Sequence, residues 1–359
     1  MATTRITSIA AVLAACSSLA FTAQRDPHDP SRTPQTSAAA PDSRGWSLKR
    51  IEDVQELEIR YGSHTGVVRR ATVVLPAWYG PDNNPPLPVV VSPHGRGATG
   101  GSNAAFFGRL PALGRFAVIS PDGMGDRLRN FSYGAPGHID DLARMPEFAL
   151  SALPWLRLDT SRVYALGSSM GGQETLLLVA RHPGLLAGAA ALDSVTDLAR
   201  RHGQLPALPC SSTCLARWGE PYGVVLQSTL EREVGGSPDE LARAYAERSG
   251  LSQARAIASS GVPLQLWWST EDRIVADQKH QSGALFEALR RADACAPVSA
   301  YVGDWAHSTE MRASALLPIV LSGFGLLPRA TTLLPASVRH DPAPHCASTP
   351  PDEHRVSQA

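Results

Sequence analysis

The chain has 359 residues, of which 43% are hydrophobic and 18% are charged. This composition is sufficient for a large buried core and too low in apolar residues for a protein embedded in a membrane. The basic and acidic residues both number 33, so the formal net charge is zero and gives no indication of a nucleic-acid or membrane-surface partner.

The first 23 residues are typical of an export signal and are not expected to belong to the fold. Their apolar segment, residues 6–15, is too short to remain as a helix across a bilayer. It ends in the sequence LAAC at Cys16, which resembles a bacterial lipobox, in which the cysteine carries a lipid anchor. Ordinary cleavage after Ala20 is the alternative, because Ser18 and Ala20 are small residues at the required spacing.

The next segment, residues 24–45, is rich in proline, serine, threonine and aspartate and is predicted to be a disordered tether. A folded domain is predicted over residues 46–328, followed by a C-terminal tail over residues 329–359. The protein is therefore expected to be exported, either as a cell-surface lipoprotein or as a secreted protein.

Cysteine usage agrees with export. If Cys16 is lipidated, an even number of cysteines remains, which suggests two disulfides in an exported protein. Cys210 and Cys214 are close enough to close a small loop, and Cys295 is then left to hold the tail through Cys346. The alternative is unpaired buried thiols. No zinc site is expected, because no histidine stands at the usual spacing from these cysteines.

Strand-like and helix-like runs alternate through the middle of the chain. The β-rich runs 57–61 and 67–75 predict an antiparallel hairpin. Further strands are predicted over 88–92, 117–120, 162–166, 186–192, 262–268 and 297–302, the last of these being the final strand. Helices are predicted over 140–156, 174–181, 278–292 and 313–323. This order predicts an α/β fold, with a mostly parallel central sheet covered by helices on both faces and the hairpin at one edge.

One segment interrupts the alternation. Residues 196–260 separate two predicted core strands and are far longer than a crossover requires. The segment contains helical stretches around 238–248 and 251–258. It is expected to form a helical cap over a functional site, and the alternative is a peripheral insertion that packs on an edge of the domain.

The sequence GSSMG, residues 167–171, lies between a predicted strand and a predicted helix and fits the pattern G-x-S-x-G. In that position the pattern indicates a nucleophile elbow, which lifts a strained serine above the sheet at the start of a helix. The flanking glycines frame Ser169 as the nucleophile, and not Ser168. The amide of Met170 is then expected to point at a developing oxyanion. The alternative is a glycine–serine turn that only serves packing.

A serine nucleophile needs a base, and the base is expected late in the chain. His307 follows the last predicted strand, where a loop can return an imidazole over the sheet, whereas His182 and His202 are less well placed competitors. The acid is expected after the preceding strand, where Asp272 stands before an apolar pair, next to Glu271.

Two further acidic residues compete for the role of the acid. Asp193 follows an earlier strand and is the second candidate. Asp304 is too near His307 in sequence to orient the ring of that histidine.

A second oxyanion donor is expected from the loop after an early core strand. The sequence SPHGRGATGG begins at Ser92 and supplies a glycine-rich loop in which the amide of Arg96 is the expected donor and that of Gly97 the alternative. The Arg96 side chain also suits an anionic substrate. The alternative for the whole segment is a flexible surface loop.

These motifs occur in the order found in the α/β-hydrolase superfamily, which this chain resembles over residues 88–324. The segments PHGRG, SPDGMGD, GSSMGG and STEDRIV are most similar to the prolyl-oligopeptidase-type branch and to its secreted esterase relatives, among them feruloyl esterases, acetyl-xylan esterases and polyhydroxyalkanoate depolymerases. The resemblance implies an α/β-hydrolase fold, a triad of Ser169, Asp272 and His307, and an oxyanion hole formed by Met170 and Arg96. It also implies acyl transfer to water without a metal or organic cofactor.

The function expected from this resemblance is an exported serine hydrolase that cleaves small-molecule or polymeric carboxylic esters through an acyl-enzyme. An esterase is favoured because only the tether and the hairpin precede the core, where the peptidases carry a long propeller domain. The alternatives are a serine peptidase acting on short peptides, a lipase or other hydrolase, and a non-catalytic binding module on a hydrolase scaffold.

Overall fold

The computed structural model describes residues 47–51, 53–328 and 333–346. The predicted export signal with Cys16, and the predicted tether, lie outside the described residues. The described chain contains one ten-stranded sheet in the order β1-β2-β3-β5-β4-β6-β7-β8-β9-β10. The strands are β1 (Ser47–Ile51), β2 (Val54–Gly62), β3 (Val68–Pro76), β4 (Leu87–Val91), β5 (Ala117–Pro121), β6 (Leu158–Ser168), β7 (Gly188–Leu192), β8 (Leu264–Ser269), β9 (Val298–Gly303) and β10 (Arg339–Asp341).

The centre of the sheet is parallel and its edges are antiparallel. Strands β5, β4, β6, β7, β8 and β9 run parallel to one another in that order. The predicted hairpin is confirmed, and it joins the sheet through an antiparallel pairing of β3 with β5. The prediction that residues 297–302 form the last strand is wrong, because β10 in the C-terminal tail pairs with β9 at the opposite edge.

Twelve α-helices accompany the strands in the described residues: α1 (Gly100–Ala104), α2 (Leu110–Gly114), α3 (Pro136–Ala143), α4 (Met145–Ala152), α5 (Met170–Arg181), α6 (Leu198–Gln204), α7 (Ser212–Trp218), α8 (Tyr222–Val234), α9 (Ala242–Glu247), α10 (Ala254–Ala258), α11 (Ser282–Ala292) and α12 (Leu317–Gly323). No helix among them combines the length and the apolar character that crossing a membrane requires.

Both faces of the sheet are buried, as the continuous apolar strands predict. Along β4, Val89 and Val91 pack into one apolar cluster and Val90 packs into another on the opposite face. The expected α/β architecture with helices on both faces is therefore confirmed.

The prediction of one continuous helix over residues 140–156 is wrong. The chain forms α3 and α4, which are separated at Arg144, and Pro146 occupies the first turn of α4. Proline has no amide hydrogen and its ring collides with the preceding turn, so it is tolerated at the start of a helix and not in its interior. The helix predicted over 313–323 is also shorter than expected, since α12 begins at Leu317.

Both predicted cysteine pairs are bonded. The Cys210–Cys214 bond closes a small loop before and within α7. The Cys295–Cys346 bond spans 51 residues and ties the segment after β10 to the turn before β9. Under the chain-entropy account, a closed loop of that size lowers the conformational entropy of the unfolded chain and so stabilises the folded state by about 4 kcal/mol.

The long segment between β7 and β8 contains helices α6 to α10 and is anchored to the domain by buried polar groups. The carboxylate of Glu233, at the end of α8, accepts hydrogen bonds from the amides of Asp126, Arg127 and Leu128 at 2.6–3.0 Å. The Gln281 side chain accepts two more from Thr196 and Asp197. These contacts hold the segment against the ends of the parallel strands.

Candidate active site

Strand β6 passes into helix α5 through a single strained residue. Ser169 has φ 61° and ψ −124°, between the last residue of β6 and the first residue of α5. A residue other than glycine rarely adopts a positive φ, and such backbone strain concentrates at functional positions. The backbone of Ser169 is therefore that of the elbow that the sequence predicts.

The glycines around Ser169 permit close contact between backbone segments. A methyl group on Gly171 would lie 2.2 Å from the carbonyl oxygen of Pro93, and one on Gly172 would lie 2.1 Å from Ser194 Oγ. One on Gly167 would lie 2.5 Å from the backbone of Gly171. The start of α5 is thus pressed between the loops that follow β4 and β7.

The two adjacent serines of the turn have different surroundings. The buried Ser168 hydroxyl lies 2.8 Å from Ser308 Oγ and 3.1 Å from the carboxylate of Glu310. Ser169 instead lines a cavity, and its hydroxyl makes no hydrogen bond to any described residue, His307 included. Ser169 is therefore the serine that is open to a substrate. Catalytic hydrogen bonds are often long before a substrate binds.

His307 and Asp272 are joined by a hydrogen bond. Nδ1 of His307, in the loop after β9, lies 2.8 Å from Oδ2 of Asp272, in the loop after β8. Oδ1 of Asp272 accepts hydrogen bonds from the amides of Ile274 and Val275 at 2.8 and 2.9 Å. Burial alone would raise the pKa of Asp272, but the hydrogen bond and charge of His307 and the Ile274 amide outweigh it and lower that pKa. An ionised carboxylate thus fixes the imidazole ring and leaves its Nε2 unused.

Asp193, the second candidate for the acid, holds the same loop by other contacts. One oxygen of its fully buried carboxylate accepts from the amide of Ser269 at 2.9 Å. The other accepts from Trp305 Nε1 at 3.0 Å and from the amide of Ser308 at 3.1 Å. Single ligand atoms of Asp193, Asp272 and His307 lie within 4.8 Å of one another. Asp193 therefore braces the residues on both sides of His307 and makes no hydrogen bond to its ring.

A second buried carboxyl group, that of Glu310, lies next to Asp193. The carboxyl groups of Asp193 and Glu310 are within hydrogen-bonding reach, and one oxygen of Glu310 has no N–H or O–H donor among the described residues. Burial, with the charge of Asp193, raises the pKa of Glu310 well above its ordinary value. Burial also raises the pKa of Asp193. Since Asp193 accepts three N–H bonds, which favour its ionised form, Glu310 is the member that retains the proton.

Two backbone amides close to Ser169 make no hydrogen bond to any described residue. Met170 is the first residue of α5, so its amide has no partner within the helix. The amide of Gly97 is occupied by the carbonyl of Asn130 at 2.9 Å, whereas the amide of Arg96 has no acceptor among the described residues. Gly95 brings this loop beside the elbow, because a methyl group placed on it would lie 3.8 Å from Ser169 Cβ.

A narrow cleft opens next to Ser169. The long segment between β7 and β8 supplies Leu198, Arg201, Leu205 and Leu230 to its lining. The remaining lining residues are Arg96, Tyr133, Ser169, Met170, Gln173, Val195, Ile274 and Val275. The wall of the cleft is therefore apolar apart from two arginines, a tyrosine, a glutamine and Ser169.

The competing residues of the sequence analysis have other surroundings. His182 pairs with Asp140 at 2.8 Å, and His202 pairs with Glu231 at 2.7 Å within the long segment. Glu271 and Asp304 are exposed. None of these four residues lines the cleft.

Three polar residues close to the elbow were not predicted from the sequence: Tyr133, Arg201 and Glu310. For Arg201 a signal exists, because Leu198 and Leu205 flank it at helical spacing and all three line the cleft. A charge within an apolar helix stripe marks either a buried pair or a ligand contact. Tyr133 lies in a loop and Glu310 in the short 3₁₀ helix Thr309–Met311, and no sequence pattern distinguishes either residue.

Comparison with known proteins gives matches at the level of structure alone. No family model matches the sequence, and no curated protein matches it. An S-formylglutathione hydrolase from Staphylococcus aureus superposes with a TM-score of 0.52 at 18% identity, over 71% of this chain and 92% of that one. An acylaminoacyl peptidase from Pyrococcus horikoshii gives 0.53 at 16% identity, over 75% of this chain and 44% of that one.

A ferulic acid esterase gives 0.50 at 19% identity, over 77% of this chain and 99% of that one. At these identities the likeness establishes the fold. The chain has the α/β-hydrolase fold, as its motifs predict.

Proposed function

We propose that this protein is a serine hydrolase that cleaves carboxylic esters through an acyl-enzyme. The observation that carries the proposal is the 2.8 Å hydrogen bond between His307 Nδ1 and Asp272 Oδ2. These residues follow neighbouring parallel strands, and the strained Ser169 follows a third strand at the same edge of the sheet. Ligands and catalytic groups gather at this edge in open α/β sheets.

In the proposed acylation step, Nε2 of His307 accepts the proton of Ser169 as Oγ attacks the ester carbonyl carbon. The amides of Met170 and Arg96 donate hydrogen bonds to the oxyanion. The ionised Asp272 holds the ring and stabilises the imidazolium. His307 then gives its proton to the alkoxide, the bond to the alcohol breaks, and the acyl group remains on Ser169.

Deacylation repeats these steps with water. His307 accepts a proton from water as the water oxygen attacks the acyl carbon, and the same two amides stabilise the second oxyanion. The proton returns to Oγ of Ser169 as the acyl bond breaks. The net reaction is ester plus water to acid plus alcohol, and apart from water every group that reacts with the substrate belongs to the protein.

An ester substrate is proposed because structures of this fold include a ferulic acid esterase and an S-formylglutathione hydrolase. A serine peptidase acting on short peptides is the second candidate, because peptidases share this fold. A non-catalytic binding module is disfavoured, because every triad and oxyanion position is filled.

We also propose that the protein is exported, with the segment of residues 196–260 acting as a cap over the site. Two disulfides support export, since such bonds persist in oxidising compartments. Lipidation of Cys16 is proposed to anchor the protein to a membrane, and ordinary secretion is the alternative. If Cys16 is lipidated, native protein partitions into detergent and Cys16→Ala releases it to the medium; fully soluble native protein cleaved after Ala20 would contradict anchoring.

The proposed activity is tested by a substrate panel together with a covalent probe. We expect hydrolysis of p-nitrophenyl esters of graded chain length to exceed that of aminoacyl-p-nitroanilides. A fluorophosphonate should label Ser169 and no other serine. Faster cleavage of the anilides would favour the peptidase, and a protein that neither reacts with the probe nor turns over an ester would be a binding module.

A further inference from the structure

Arg201, in helix α6, is a buried cation whose terminal nitrogens have no partner among the described residues. Its side chain is 4% exposed, and its two terminal nitrogens make no hydrogen bond to any described residue. A buried charge normally has a paired opposite charge, because removal from water costs several kcal/mol per ion. An unpaired guanidinium in a folded protein therefore points to a missing anion.

The groups around Arg201 suit the binding of an anion. Arg201 lines the cleft together with Ser169, Arg96 and Tyr133. The Tyr133 hydroxyl is buried and makes no hydrogen bond within the described residues, although the Arg96 guanidinium lies beside it. The carboxylate whose charge acts most strongly on Arg201 is that of Asp272, which is already occupied by His307 and two amides.

Under the proposed mechanism, the cleft serves the acyl side of Ser169. Its lining includes Ser169 and Met170, which hold the acyl carbon and its oxyanion in the proposed mechanism, and it does not include His307. The leaving alcohol must reach His307, which protonates it. The part of the substrate that enters the cleft is therefore the chain attached to the carbonyl carbon.

We propose that the cleft binds an acyl chain that ends in a carboxylate, with Arg201 as the residue that pairs with this charge. The inference rests on the proposed ester hydrolysis and specifies its substrate class: monoesters of dicarboxylic acids, which react with water to give a dicarboxylate and an alcohol. Val195, Leu198 and Leu205 contact the methylene groups between the two carbonyl carbons. The Tyr133 hydroxyl donates a second hydrogen bond to the carboxylate.

Two physical properties of the site agree with this assignment. Burial, together with the positive charge of Arg96, lowers the pKa of Arg201 to about 10, so the guanidinium remains charged at neutral pH. A guanidinium also offers two parallel N–H donors, which match the two oxygens of a carboxylate. A neutral acyl chain of equal length would leave these donors unpaired and is expected to bind less well.

The test compares two esters that differ only in charge, 4-methylumbelliferyl hydrogen adipate and its methyl-capped neutral counterpart, with the enzyme-free rate subtracted. We expect the wild-type protein to favour the anionic ester in kcat/KM. Arg201→Gln should lower the ratio of the two kcat/KM values by roughly 10- to 100-fold, the range for a hydrogen bond to a charged group. Arg201→Lys should fall between the two, because a lysine keeps the charge without the fork of donors.

The matched control is the neighbouring Arg200→Gln. Arg200 is exposed, pairs with Asp277 at 2.7 Å and does not line the cleft. This variant should keep the wild-type ratio. An equal change in both variants, or no change in Arg201→Gln, would overturn the assignment.

A binding measurement separates this inference from the proposed activity. Adipate should raise the melting temperature of the wild-type protein and of Ser169→Ala, but not that of Arg201→Gln, because a ligand stabilises the state that it binds. If no ester is hydrolysed and adipate still binds through Arg201, the proposed function fails and the anion site remains. If esters are hydrolysed and adipate shifts all three proteins equally or none of them, the anion site fails.

Discussion

The two sides of Ser169 differ in how far their polar groups are satisfied. On the side of the loops after β7, β8 and β9, the carboxylates of Asp193 and Asp272 accept seven hydrogen bonds from N–H groups and from His307. On the side of the long segment between β7 and β8, Arg201 and Tyr133 are buried and have polar atoms without partners among the described residues.

Under the proposed function, this contrast corresponds to a difference between groups that serve the chemical steps and groups that recognise the substrate. Groups that orient His307 must be in place before the substrate arrives, because electrostatic preorganisation contributes to catalysis when it costs nothing at the moment of reaction. Groups that recognise a substrate remain unsatisfied until it binds, and they lower the stability of the free protein. We therefore expect loss of Asp272, which contacts the His307 ring, to lower turnover, and variants of Arg201 to change selectivity and stability.

The largest effect is expected at Ser169, where the two sides meet. Ser169→Ala should lower kcat for esters roughly 10⁴- to 10⁶-fold, because the nucleophile is lost while the fold remains. Ser168→Ala should retain substantial activity, since the Ser168 hydroxyl faces Ser308 and Glu310. Steady-state kinetics and circular dichroism check both. Full activity in Ser169→Ala, or labelling of Ser168 by a fluorophosphonate, would contradict the assignment.

The next largest effect separates the two aspartates. Asp272→Asn should lower kcat by up to about 10⁴-fold with a modest change in KM, because an amide cannot stabilise the imidazolium and favours the wrong tautomer. Asp193→Asn should mainly change KM or the free energy of unfolding, because Asp193 braces Trp305 and Ser308. The kcat and KM of both variants are measured at pH 7. The reverse pattern would make Asp193 the catalytic acid.

A smaller effect is expected on stability, where the buried Arg201 side chain should destabilise the free protein. Arg201→Met should raise the free energy of unfolding by about 1 to 3 kcal/mol, because it replaces an unpaired buried charge by an apolar side chain of similar length. Urea denaturation measures this as a higher midpoint at an unchanged slope. The exposed Arg200→Met should change the free energy of unfolding by less than about 0.5 kcal/mol. A marked loss of stability in Arg201→Met would indicate that Arg201 has a structural partner.

The sequence predicts the fold well because apolar runs and glycine-rich turns are local patterns that can be read without knowledge of distant contacts. The apolar run before GSSMG and the helix-like run after it are sufficient to place β6, the elbow and α5. The break between α3 and α4 is also a local signal, and Pro146 shows it. By contrast, β10 is three exposed residues, and only its pairing with β9 and the nearby Cys295–Cys346 bond make it a strand.

The sequence suggests the residues proposed for the triad, but it does not suggest the buried charged residues around them. Chain order and strand ends suggest Ser169, Asp272 and His307, because parallel strands deliver their loops to one edge. Which carboxylate faces the histidine depends on loop geometry: Asp193 and Asp272 both follow parallel strands. Arg201 and Glu310 depend on tertiary burial, since a charged residue in a sequence is exposed in most proteins.

The last prediction concerns the proton held by Glu310, beside Asp193. Glu310 has its pKa raised in the folded state, so the folded protein binds a proton that the unfolded chain releases near pH 4.5. Its contribution to stability is complete below that pH and is lost as the pH rises toward the folded-state pKa. Asp272 acts in the opposite direction, because its pKa is lowered in the folded state. Its contribution to stability is present above about pH 4, the ordinary pKa of an aspartate, and is lost as the pH falls further.

Glu310→Gln should remove the contribution of Glu310 and keep a polar group beside Ser168 and Asp193. The difference in free energy of unfolding, variant minus wild type, should therefore increase from pH 5 to pH 8, with a slope of at most about 1.4 kcal/mol per pH unit for one proton. Urea denaturation across this range measures the slope, and the exposed Glu271→Gln should show none. A pH-independent difference for Glu310→Gln would mean that Glu310 is ionised in the folded protein, and the buried acidic side would then carry an unsatisfied charge, as the arginine side does.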